Sequence, residues 1–125
     1  MVEYEYSYRG CMVHPIATYQ VVLGAGGVQT LNYSKYDGVI HPIVLQEDVL
    51  GKIDSIAIAH KLHKLKDHYY PPMRIYDGYS WSIRFAYEKE SISSGGNNAH
   101  PSSKQREGIK AINDYLETFI PKEEE

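Results

Sequence analysis

Val2, Tyr4, Tyr6 and Tyr8 alternate with Glu3, Glu5, Ser7 and Arg9 at the start of the chain. A period of two sends the apolar set to one face and the polar set to the other, which predicts a half-buried strand over residues 2–9. A second apolar run covers residues 16–23, with Tyr19, Val21 and Leu23 on one face, until Gly24-Ala25-Gly26-Gly27 breaks it. An extended pattern resumes at 28–34, so the glycines read as the tip of a hairpin. Residues 39–45 form a short extended piece containing Pro42. Proline has no N–H to give a ladder, so this piece is an edge strand or a connector. Further on, Trp81, Ile83, Phe85 and Tyr87 alternate with Ser82, Arg84 and Ala86. This is the strongest strand pattern in the chain. Glu88-Lys89-Glu90 is a charged turn, and residues 91–94 return as its partner strand.

Two stretches change to helical period. Over residues 46–67, Val49, Leu50, Ile53, Ile56, Ala57 and His60 share one arc, while Ile58, Leu62 and Leu65 form a second. The pattern predicts a helix near 47–66, weakened at Gly51 by ~1 kcal/mol relative to alanine. His68-Tyr69-Tyr70-Pro71-Pro72 stops it, since residues before proline avoid the α region. Residues 94–101 read as a loop rich in glycine and asparagine. Ser102 with Gln105 suits a capping box for a last helix near 103–119, where Ile109, Ile112, Leu116, Phe119 and Ile120 keep the 3.6 period. The order β-β-β-α-β-β-α predicts an α+β fold: a mainly antiparallel sheet of about five strands with two helices on one face. A single domain over 1–121 with an acidic tail at 122–125 is expected. The uncovered sheet face would show polar residues and some tyrosines.

Composition sharpens this. The 125 residues include 12 tyrosines against 2 phenylalanines and 1 tryptophan. Tyrosine joins an apolar body to a polar tip and suits half-buried sheets and wet interfaces. A net charge of −3 argues against a general nucleic-acid binder. No apolar run approaches the ~20 residues of a membrane helix. The opening MVEYEYSYRG lacks the basic-then-apolar pattern of a signal peptide, so a cytoplasmic protein is expected. The single cysteine, Cys11, makes neither an intramolecular disulfide nor a four-thiolate zinc site.

Asp77-Gly78 three residues before Trp81, followed by Gly96, Asn98 and Pro101, forms a D-G-x-x-W and G-x-N-x-x-P pattern. With the helix before it and the amphipathic helix after it, the region 49–120 resembles a group of small, largely uncharacterised bacterial α+β proteins. The resemblance implies the fold and carries no reaction. The chain departs from that group at Glu88-Lys89-Glu90, where an acidic-glycine turn is usual.

The candidate chemistry is sparse. Gly24 to Gly27 lacks the third glycine of a dinucleotide loop and the G-K-S/T of a phosphate loop, and strand rather than helix follows. His60 and His63 share a helix face, as a metal pair would, with His68 five residues on. No H-E-x-x-H accompanies them, and His60 lies within the apolar arc of a core histidine. Lys61, Lys64 and Lys66 give the same segment a basic bias that would meet an anion or simply balance a helix C-terminus. Tyr4, Tyr6 and Tyr8 form a ladder suited to stacking a planar group or to packing. Asn97 and Asn98 are candidate binding residues in a loop. Cys11 with His14 or His100 is conceivable as a nucleophile pair, without a local signature.

The expectation is therefore a non-enzymatic binding protein, of bacterial or phage type: an inhibitor, immunity-type protein, adaptor or small-ligand sequestering protein. Its binding residues would be Tyr4, Tyr6, Tyr8, Asn97, Asn98, His60, His63 and Lys64. Its partner would be a second copy, another protein or a small anionic ligand, and no cofactor or metal is expected. The alternative is a small histidine-dependent enzyme with a site near residues 60–68 and His100.

Overall fold

The computed structural model describes residues 1–10, 15–36, 38–71 and 78–122. Cys11, His14, Asp77 and the acidic residues 123–125 lie outside them. Six antiparallel strands form one sheet in the order β4-β3-β2-β1-β5-β6. They are β1 Glu3–Arg9, β2 Pro15–Leu23, β3 Gln29–Lys35, β4 His41–Leu45, β5 Ser80–Ala86 and β6 Ser91–Asn97. Helix α1, Val49–Ala59, joins β4 to β5, and α2, Ser103–Glu117, closes the chain. Among the described residues no helix is long and apolar enough to cross a membrane.

β1 is central, with β2 on one side and β5 on the other. Tyr4 lies between Val21 and Phe85, Tyr6 between Tyr19 and Ile83, and Tyr8 between Ala17 and Trp81. These residues point to the face that both helices cover. Tyr4, Val21, Leu31, Ile83 and Phe85 pack there against Val49, Leu50 and Ile53 of α1 and Ile112 and Leu116 of α2. The opposite face is polar. Asn32 donates to Gln20 at 3.2 Å, Gln20 donates to Glu5 at 3.1 Å and to Glu3 at 3.3 Å, and Arg84 pairs with Glu3 at 3.3 Å. The β1 tyrosines therefore lie on the helix-covered face, where the packing reading of the ladder places them. Alternation separated the two sets correctly, and the helices lie on the tyrosine side because only that side offers apolar area to bury.

Three boundaries differ from the sequence reading, each for a local reason. Residues 41–45 form a sixth strand, at the sheet edge where Pro42 is tolerated. Helix α1 ends at Ala59 because Lys61 is left-handed at φ 56°. That turn returns Leu62 and Leu65 to the core while Ile58 stays exposed, which accounts for the two apolar arcs. Strand β6 runs on through Gly95 and Gly96 to Asn97 because the Trp81 indole lies against Gly96. A side chain there would stand 2.7 Å from Trp81 Nε1. The backbone N–H of Tyr69 donates to the Gly95 carbonyl at 2.8 Å, so the chain after α1 covers part of that edge.

Candidate functional site

Helix α2 is fastened to its surroundings at both ends. Near its start Gly108 packs against His60 of α1, and the His60 Nδ1 donates to the Lys104 carbonyl at 2.9 Å, which requires the proton on Nδ1. Gln105 Nε2 donates to the Lys61 carbonyl at 3.1 Å. Farther along, the Tyr4 hydroxyl donates to Asn113 Oδ1 at 2.6 Å, and the Tyr19 hydroxyl donates to Glu117. Between these anchors the helix does not close on the sheet. A cleft of about 500 Å³ remains beside β1 and β5.

Its floor is aromatic: Tyr6, Tyr8, Tyr79 and Trp81. The rings of Tyr8 and Tyr79 stack with centroids 5.8 Å apart at 21°. Trp81 is fixed by its indole N–H, which donates to the Ala99 carbonyl at 2.7 Å. Tyr79 is held by Asn98, which sits at φ 54° and accepts the Tyr79 N–H on Oδ1 at 3.0 Å. The wall is one stripe of α2, with Arg106, Lys110, Asn113 and Asp114 at helical spacing. His100 and Pro101 close one end.

The polar groups differ in how far they are already engaged. Lys110 is paired with Asp114 at 2.5 Å. Arg106 has no carboxylate partner among the described residues, and its one polar contact is a long one, 3.5 Å to His100 Nε2. The hydroxyls of Tyr6, Tyr8 and Tyr79 bond to no described residue, yet no buried polar atom is left without a partner. Those three hydroxyls therefore reach solvent, on residues that line the cleft. Burial pushes the Tyr6 phenol up to about 12, with Tyr8 and Tyr79 adding to the rise. Burial and Tyr8 also raise Tyr79, while Arg106 pulls it back down. At neutral pH Tyr6 and Tyr79 are neutral phenols, able to donate.

A second hollow of about 840 Å³ lies near the far end of α2, lined by Tyr33, Lys35, His41 and Glu117. It is larger, but the one carboxylate among its described residues is already engaged: Glu117 meets Lys35 at 2.6 Å and also accepts from Tyr19, and Lys122 adds a further cation at its rim. The first cleft is the better candidate because it joins an aromatic floor to a guanidinium with no carboxylate partner among the described residues.

The sequence-derived residues are scattered relative to this cleft. Tyr6 and Tyr8 line it, as does His100. Tyr4 lies beneath α2, wholly buried. His60 sits at the crossing of the helices, and His63 and Lys64 are exposed on the short 3-10 turn after α1. Asn97 is exposed at the end of β6, and Asn98 is occupied in holding Tyr79. Among the described residues no three of His, Cys, Asp or Glu group closely enough to hold a metal ion. Sequence reasoning missed Tyr79, Arg106, Lys110 and Asn113. The period-two run starting at Trp81 extends back to Tyr79, and Arg106, Lys110 and Asn113 flank the apolar stripe of α2. Both signals were present in the pattern.

No protein-family model matches the chain, and no curated protein matches it significantly.

Proposed function

We propose that this is a non-enzymatic binding protein that holds a small organic molecule in the cleft between α2 and the β1–β5 strands. The observation that carries the reading is the combination of an aromatic floor with hydroxyls that bond to no described residue and a guanidinium that meets no carboxylate among the described residues. Pockets of this size, mostly apolar with a few convergent polar groups, are the usual form of a small-molecule site. Binding is favoured over catalysis because, among the described residues, the lining includes no serine, threonine or cysteine. Of the four histidines of the enzyme reading, only His100 is among the lining residues.

Saturation-transfer NMR with a mixture of aromatic fragments tests this. Hits should appear with the native chain, weaken with Tyr8→Ala, and persist with Ser82→Ala, which alters the opposite face. Hits equally strong in Tyr8→Ala, or none at all, would refute the cleft.

Self-association is a second reading, favoured by exposed apolar residues around the β4 edge, Ile40 and Val44 with Tyr36 nearby. Pro42 interrupts the donors of that edge, so side chains rather than added strands would make the contact. Light scattering at high protein concentration checks it: a dimer mass supports it, and a monomer mass removes it.

A further inference from the structure

We infer that the cleft selects planar aromatic anions, with the ring on the tyrosine floor and the negative group against Arg106. The inference rests on the binding reading above and narrows it to a ligand class.

Two independent features converge. The first is shape and surface. Tyr8 and Tyr79 are stacked nearly parallel, and Tyr6 and Trp81 continue the floor. Aromatic rings pair best in offset or edge-on contact with other rings, beyond what their buried area alone contributes. The second is charge. Among the described residues the lining holds two cations and one carboxylate, and the carboxylate is already engaged by Lys110. Arg106 is left as the unmatched charge, in a protein whose net charge is −3. A planar guanidinium offers forked donors that fit a carboxylate or a phosphate. The Tyr6 and Tyr79 phenols add neutral donors and no competing negative charge, since burial raises both above the ordinary tyrosine value. A cationic ligand would face Arg106 across the same space and be repelled, while a neutral ring would leave Arg106 unsatisfied.

Isothermal titration of the full chain with three matched probes separates these parts. They are 2-naphthoate, its neutral isostere 2-naphthamide, and the saturated decahydronaphthalene-2-carboxylate. The expected order has 2-naphthoate tightest and 2-naphthamide about tenfold weaker, the usual scale of a charge-assisted hydrogen bond. The saturated acid should be weaker by about fivefold, the scale of an aromatic pair. Arg106→Gln, an exposed substitution, should remove most of the difference between naphthoate and naphthamide by weakening naphthoate far more than naphthamide. Equal binding of naphthoate and naphthamide, insensitive to Arg106→Gln, would overturn the anion selectivity and leave the cleft as a small-molecule site. Equal binding of the saturated acid would overturn the aromatic selectivity. Binding of none of the three would overturn this inference together with the reading beneath it.

Discussion

Gly108 offers a sharp test of how the helices are held, because two effects of one methyl group oppose each other. In an isolated helix, glycine to alanine is stabilising by about 1 kcal/mol. Here a Cβ on residue 108 would stand 2.4 Å from His60 Cβ and 2.7 Å from His60 Cγ. Carbon atoms rest at about 3.5–4.0 Å, so the helices would have to part by roughly 1 Å. The obstructing atom is the first carbon of the side chain, so no rotamer change removes it. Overpacking of this kind costs about 1–3 kcal/mol. Separation would also stretch the His60–Lys104 and Gln105–Lys61 hydrogen bonds that meet at the same crossing. These two effects net to about 0–2 kcal/mol of destabilisation, and the stretched hydrogen bonds add to it, so Gly108→Ala should show a lower urea midpoint at unchanged slope. Adding His60→Ala should not rescue it, because that variant keeps the Cβ, whereas His60→Gly should recover part of the loss. A Gly108→Ala protein as stable as the native chain, or more stable, would refute the close crossing of α1 and α2.

Three further outcomes follow from the same contacts. Trp81→Ala should cost about 3–5 kcal/mol in denaturant melts, and Trp81→Phe, which keeps most of the bulk and loses the bond to Ala99, about 1 kcal/mol beyond its packing loss; near-neutral values would place the indole outside the core. Asn98→Ala should destabilise by about 1–2 kcal/mol, from the left-handed backbone and the lost acceptor for Tyr79, with Asn98→Gly milder; thermal unfolding of the pair decides it. On the alkaline side, burial raises Tyr4 and pushes Tyr6 and Tyr115 up to about 12, whereas unfolded tyrosine ionises near ~10. The folded chain then holds more protons than the unfolded one in that window, so its stability is full below pH ~10 and falls as pH rises toward 12. Tyrosinate absorbance rising together with loss of circular dichroism would bear this out, and ionisation of these phenols in a still-folded chain would contradict it.

The strands were legible because period-two runs such as Tyr4-Tyr6-Tyr8 and Trp81-Ile83-Phe85 leave little choice of pairing face. The α+β class followed from their order. The end of α1 was not legible, since the apolar period carries on through Leu62 and Leu65 even though the chain reverses hand at Lys61. Nor was the reach of β6, because Gly95 and Gly96 look like loop residues until the indole that needs the space is known. The site was half visible. Tyr6 and Tyr8 stood out, but as a ladder they looked the same whether packed, stacked or exposed. What makes them a site is the gap left by α2 between the Gly108 crossing and the Tyr4–Asn113 bond, a tertiary feature with no local pattern. Arg106 matters for the same reason: that it meets no carboxylate among the described residues is a property of the fold, not of its neighbours in sequence.

The central claim, that this gap binds a small molecule, has a built-in reporter. The chain contains a single tryptophan, Trp81, and it lines the cleft. Its indole N–H therefore gives one unambiguous resonance in a nitrogen-15 correlation spectrum. On titration with 2-naphthoate that resonance should shift saturably, and Tyr8→Ala should weaken the response. Saturable binding that leaves the Trp81 indole signal unmoved, or no binding at any attainable concentration, would contradict the account.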